Sequence, residues 1–311
     1  MGTDERPRAV LVTGASRGIG KEIALALASA GHDVALTARA VSGGLPYGGS
    51  STTDDLAGVV LPGSVDEVAE KCRTFGVRAV PIAMDLTDPA SIESAANTAI
   101  DALGHIDTFV ANAIYQGPGI NDRFEELSIS LLRTVIEADA IGPMISLKVL
   151  MSSMVASGRG LFINVTSGTA TLVPRAPVGE GGWGIAYAMA KGSAHRIAGV
   201  LNAEYADRGV RAYNLNPGHV TTDAMRERSI SRDSGKSCSM DCRRFTRCRC
   251  TRRQRSRRSR RGDYFQLVSS TMSGDVTRVV SQPFELTPTL QFGDCRCKKC
   301  VVLLVRRWGN Q

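Results

Sequence analysis

Tyr187 and Lys191 stand four residues apart in the run Tyr187-Ala188-Met189-Ala190-Lys191. On a helix that spacing puts both side chains on one face, with Cβ atoms about 5–6 Å apart. A phenol ionises near pH ~10, too high for a base at neutral pH. A neighbouring ammonium stabilises the phenolate and lowers that value. The pair could then exchange a proton with a substrate oxygen. Tyr-x-x-x-Lys pairs also occur on ordinary amphipathic helices, so the pair decides nothing by itself. Twenty residues before Tyr187 lies Ser167, at the end of an apolar run, with a hydroxyl able to orient a carbonyl oxygen.

A second signal is the turn Thr13-Gly14-Ala15-Ser16-Arg17-Gly18-Ile19-Gly20. Glycines permit a tight bend and let backbone N–H groups approach a pyrophosphate. The helix that follows adds free donors and a favourable dipole. Such a turn is weak as an isolated pattern. It gains weight from its setting, after an apolar strand and before an Ala/Leu-rich helix. Gly14, Ser16, Arg17, Gly18, Ile19 and Gly20 are the candidate binding residues there.

The elements that must position these residues alternate. Strand signals fall at 8–13, 33–38, 79–84, 106–113, 161–166 and 210–216, and helix signals at 19–30, 65–75, 89–102, 129–153 and 186–205. Alternation of this kind means βαβ units and a parallel sheet covered on both faces. With right-handed crossovers the architecture is a doubly wound α/β sheet. Two stretches break the rhythm. Residues 42–63 are rich in Gly, Ser, Thr and Pro and read as a long surface loop. Residues 174–184 read as a second, containing Trp183, which either contacts substrate or pins the loop.

The chain divides sharply in composition. Residues 1–228 hold 19 Lys+Arg against 24 Asp+Glu, whereas residues 229–311 hold 19 against 6. Alanine occurs 34 times before residue 229 and never after it, and seven of the eight cysteines lie in the second part. The overall charge of +8 therefore says nothing of the main domain's partners and gives no ground for a nucleic-acid partner there. The lone Cys72 of that domain suits a reducing, cytoplasmic setting. No apolar run approaches the ~20 residues of a membrane helix, so no membrane is expected. Residues 242–261 carry eleven Arg. The whole of 229–311 resembles the product of a shifted reading frame and is expected to be disordered. An evolved basic appendage that neutralises phosphates is the competing account. The tail's cysteine spacings match no standard zinc knuckle, and no metal is expected.

Taken in order, the motifs resemble the short-chain dehydrogenase/reductase family over residues 8 to about 226. The spacing Gly-x-x-x-Gly-x-Gly of the turn is that family's. Asp85-Leu86-Thr87-Asp88 is similar to its adenine-side motif. Val110-Ala111-Asn112-Ala113 lies where the family has Asn-Asn-Ala-Gly, with Ala111 and Ile114 departing from it. Asn164-Val165-Thr166-Ser167 matches the strand ending in the catalytic Ser, and Tyr187 and Lys191 match Tyr-x-x-x-Lys. Pro217-Gly218-His219-Val220-Thr221-Thr222 matches the Pro-Gly turn and the Thr beside the nicotinamide amide. The resemblance implies a Rossmann fold whose C-terminal strand and helix are missing or replaced. It implies Tyr187 as acid/base, Ser167 on the substrate oxygen, and Lys191 also on the nicotinamide ribose. Asn112, Pro217, Gly218, Val220 and Thr222 would line the cofactor. Aligning Asp139-Ala140-Ile141-Gly142 with the family's Asn-Leu-x-Gly makes Asp139 the fourth catalytic position. A carboxylate there accepts hydrogen bonds but cannot donate as an amide does.

Enzymes of this fold that use NAD place an acid at the end of the second strand. That place holds Ala38 followed by Arg39, and Arg17 lies in the turn. Two guanidinium groups suit a 2′-phosphate, so NADP(H) is favoured over NAD(H). The expected activity is interconversion of a hydroxyl and a carbonyl on a small molecule by hydride transfer. The alternatives are a catalytically silent nucleotide-binding or scaffold protein of the same fold, and a basic nucleic-acid binder acting through the tail. The long helices could pair two copies; a tetramer is not expected.

Overall fold

A computed structural model describes residues 7–46, 58, 60–218, 220 and 289–291. Its centre is a sheet in the order β5-β2-β1-β6-β7-β8-β9, parallel throughout. The strands are β1 (Ala9–Thr13), β2 (Asp33–Ala38), β5 (Ala79–Ala83), β6 (Thr108–Ala111), β7 (Gly160–Val165), β8 (Val210–Asn216) and β9 (Thr289–Gln291). β1 and β6 are fully buried, as apolar strands covered on both faces must be. Strand order reverses between β1 and β6, which opens a crevice at their carboxyl ends.

Helices cover both faces. α1 (Gly18–Ser29) and α2 (Val65–Arg73) pack Ile23, Leu27, Val68 and Cys72 against Val10, Val34 and Leu36. The other face is closed by α3 (Pro89–Leu103), α5 (Gly142–Ser157) and α6 (Ile185–Tyr205), around Phe109 and Phe162. Small residues at these contacts, such as Ala95, Ala96, Ala99 and Ala198, let helix and sheet approach closely. Local signals fix the ends. Asp88 accepts from Ala90 N to start α3, Pro89 enters its first turn, and Gly104 closes it at φ +84°.

The helix expected over 129–153 is interrupted. α4 (Ile129–Ile136) passes through a π-helical turn, Glu137–Ile141, into α5. Pro143 explains it: the proline has no N–H for the Asp139 carbonyl, and its ring crowds that oxygen. The extra residue in the turn leaves Asp139 buried. Ile129–Ser157, 29 residues with an 18-residue stretch of mean hydropathy 1.4, is long and apolar enough by length and composition to cross a membrane, although charged residues interrupt it. In this fold it packs on α3, β6 and β7.

One further expectation changes and another is made specific. The loop over 42–63 contains a hairpin of β3 (Leu45–Pro46) and β4 (Val60–Leu61). The seventh sheet position, expected to be missing or replaced, is held by tail residues, with β9 registered Asn214↔Thr289 to Asn216↔Gln291. The apolar run 300–305 lies outside the described residues. So do the Arg run, the seven tail cysteines and the expected disorder of the tail.

Candidate active site

The Gly turn and the end of β6 are sewn together. Asn112 Nδ2 donates to the carbonyls of Thr13 (2.9 Å) and Gly14 (3.3 Å), while Thr13 Oγ1 accepts from the N–H groups of Asn112 and Ala113 (3.1 Å each). Gly14 has φ +66°, and a Cβ on it would lie 2.8 Å from Ala113 Cα. A Cβ on Gly20 would overlap the Gly14 carbonyl and come within 2.5 Å of Asn112 Nδ2. These glycines therefore hold the backbone tight against β6. The first N–H groups of α1 open onto the crevice, since a helix's first turn leaves them without internal partners.

The crevice is a cavity of about 510 Å³ running along the carboxyl ends of the strands. Arg39, Asp85 and Leu86 line it from the β2–β5 side; Gly14, Ser16, Arg17, Gly18 and Ile19 from the turn; Asn112 from β6. Ser167, Tyr187, Lys191, Pro217, Gly218 and Val220 line it from the β7–β8 side. The structure thus brings the sequence candidates together, with three qualifications. Gly20 packs beneath the turn, Asp139 is buried behind the lining, and Thr222 lies outside the described residues.

Arg17 donates to the Leu61 carbonyl at 3.1 Å, so the β3–β4 hairpin holds its guanidinium in place. Burial, and then the charge of Arg39, push the Arg17 pKa down. Two cations this close favour a dianionic group between them. Asp85 accepts from Thr87 N (2.9 Å) and Oγ1 (2.8 Å), which fixes its loop. With the Gly cradle beside them, these residues fit a nicotinamide dinucleotide.

At the other side Ser167 and Tyr187 line the cavity together, and the Ser167 hydroxyl acts on the Tyr187 phenol. Lys191 is buried; its ammonium donates to the Val165 carbonyl at 2.9 Å and lies 6.0 Å from the Tyr187 ring centre. The expected fall of the Tyr187 pKa is not what the site produces. Burial pushes it up and the Asp139 charge adds to that, while only the Ser167 hydrogen bond pulls it down. Burial likewise pushes Lys191 down, against the pull of Asp139. Asp139 Oδ1 accepts from Tyr115 N at 2.5 Å, and burial lifts its pKa to about 6, opposed by Lys191 and that N–H.

Tyr115 is a site residue that the sequence reading missed. It lines the cavity and anchors Asp139 through its backbone, and its signal was simply its place just after the degraded Asn112 motif. Trp183 is half-buried and does not line the cavity. Its loop is tied down elsewhere, by Arg123 to the Val178 carbonyl and to Glu180 (3.5 Å each).

The model of the short chain dehydrogenase family matches residues 8–45 and 59–233. The chain belongs to that family. It is an oxidoreductase of CH–OH groups by that membership, and residues 46–58 fall outside the match. The chain is 30% identical to (−)-trans-carveol dehydrogenase of Rhodococcus erythropolis, over 68% of this chain and 70% of that protein. It is 28% identical to 1-deoxy-11-beta-hydroxypentalenate dehydrogenase of Streptomyces exfoliatus, over 75% and 74%. Among solved structures, an alcohol dehydrogenase from Thermococcus sibiricus complexed with 5-hydroxy-NADP matches at a TM-score of 0.54 and 29% identity, over 69% of this chain and 77% of that one. A 3-oxoacyl (acyl-carrier-protein) reductase from Agrobacterium tumefaciens C58 with NADP bound matches at 0.59 and 26%, over 74% and 77%.

Proposed function

We propose that this short-chain dehydrogenase interconverts a hydroxyl and a carbonyl on a small molecule, with NADP(H) as coenzyme and Tyr187 as the acid/base. The observation that carries the reading is the grouping of Ser167, Tyr187 and the buried Lys191, whose ammonium lies 6.0 Å from the Tyr187 ring centre, on the same cavity as the Gly turn. The nicotinamide, when bound, supplies or accepts the hydride. Ser167 orients the substrate oxygen, and Tyr187 gives it a proton in reduction or takes one in oxidation. Lys191, held by Val165, stabilises the phenolate as it forms. Arg17 and Arg39 support the choice of NADP(H), and the 2′-phosphate would bind both through charge-assisted bonds. Two of the related structures carry NADP-type ligands, which points the same way. A cytoplasmic setting belongs to the same reading and is supported by the free, buried thiol of Cys72.

The test is fluorescence titration with NADPH and NADH, followed by NADPH oxidation across a panel of aldehydes and ketones. Tighter NADPH binding together with turnover on some members supports the reading. Binding with no turnover on any member would move the chain to the catalytically silent class.

A further inference from the structure

Asp139 sits in the π-helical turn with 3% of its surface exposed. Oδ1 is fixed by the Tyr115 N–H at 2.5 Å, and Oδ2 is buried with no hydrogen-bond partner. The turn packs against α6, which carries Lys191 and Tyr187, and the Asp139 charge acts on both. Tyr115 faces it from the segment after β6, with Asp122 and Arg39 acting on that tyrosine from beyond. Lys191 is therefore the cation on which the Asp139 charge acts, and its ammonium also lies 6.0 Å from the Tyr187 ring centre.

We propose that Asp139 is a positioning residue that acts by charge: it offsets the Lys191 ammonium as felt by the Tyr187 hydroxyl, keeps that hydroxyl protonated, and so biases the site toward carbonyl reduction over alcohol oxidation. The inference rests on the functional reading above for its direction of catalysis, but its electrostatic core does not. A cation next to a phenol favours phenolate; an anion behind that cation removes much of the effect. An amide of the same shape would keep an oxygen for the Tyr115 N–H and carry no charge.

The sign follows for both directions. Reduction needs the phenol and fades as pH rises through its pKa, whereas oxidation needs the phenolate and grows through the same value. With Asp139 ionised both limbs sit at higher pH than they would beside a neutral residue. Below pH about 6 the carboxyl takes up its proton and the bias relaxes.

The experiment is ultraviolet titration of phenolate absorbance in the cofactor-free chain. Subtracting the same titration of Tyr187→Phe isolates one of the six tyrosines. In Asp139→Asn the Tyr187 midpoint is expected about one pH unit lower, equivalent to roughly tenfold more phenolate at a given pH below it. Asp139→Ser, smaller and neutral, keeps the test available if the Asn variant does not fold, and should move the midpoint the same way. An unmoved midpoint in a folded neutral variant overturns the proposal. A moved midpoint in a chain that turns over no carbonyl or alcohol keeps the counter-charge and discards the functional reading. Turnover with an unmoved midpoint does the reverse.

Discussion

The Lys191 ammonium lies 6.0 Å from the Tyr187 ring centre and is held there by the Val165 carbonyl, 2.9 Å away, at the end of β7. Backbone thus fixes the cation next to the phenol, and β7 carries straight on to Ser167, which lines the same cavity as Tyr187. Ser167 and Tyr187 can therefore face one oxygen from a strand end and a helix face, with Lys191 set behind the phenol.

Tyr187→Phe tests that arrangement most directly. It removes the exchangeable proton and leaves the ring's packing. Turnover is expected to fall by orders of magnitude, with NADPH affinity nearly unchanged. If more than about a tenth of the rate survives, a loss of ~1.4 kcal/mol or less, Tyr187 is not the acid/base.

Arg39→Asp probes the coenzyme. Arg39 is exposed at the end of β2, near enough to Arg17 to depress its pKa. A carboxylate there would repel a 2′-phosphate and accept from ribose hydroxyls. The ratio of kcat/KM for NADPH over NADH should fall by at least about tenfold, or ~1.4 kcal/mol. An unchanged ratio would mean that Arg39 only faces solvent.

Gly20→Ala addresses the cradle. A methyl group there overlaps the Gly14 carbonyl and crowds Asn112 Nδ2, so the turn must open. A ligand stabilises a fold in proportion to ln(1 + [L]/Kd). The wild-type chain should melt several degrees higher in excess NADPH, and the variant should show little such shift. Equal stabilisation of both would place the coenzyme away from the turn.

Much of this was legible in the chain itself. The strand and helix rhythm, the Gly turn, and the Ser167–Tyr187–Lys191 grouping rest on local signals: apolar runs, caps and fixed spacings. What escaped depended on contacts distant in sequence. The Tyr187 pKa was expected to fall because spacing shows Lys191 as a neighbour but shows neither burial nor Asp139. The π-helical turn escaped although Pro143 was in view, because a proline near a helix bend does not say how the backbone will yield. The β3–β4 pair is two residues against two, below what alternation can reveal, and β9 lies in a segment with no periodic neighbour to announce it.

Linkage between protons and folding gives the last expectation, again at Asp139. Its carboxyl is lifted from 3.8 to about 6 in the folded chain, so the folded state holds its proton more tightly than the unfolded one. A group of this kind contributes stability that is fully present below its unfolded pKa and lost as pH rises through the folded value. The window is therefore pH about 4 to about 6. Asp139→Asn does not titrate, so it lacks this loss. In the folded wild type Asp139 is itself uncharged over most of this window, so the variant removes no counter-charge from Lys191 there. The difference in unfolding free energy, variant minus wild type, should thus rise with pH between 4 and 6 and then level off. A shift of roughly 2 pH units caps the rise at about 3 kcal/mol. Urea melts of both proteins at half-unit steps would measure it. A flat difference would mean that Asp139 ionises as easily in the fold as in the open chain, and that its burial carries no electrostatic cost.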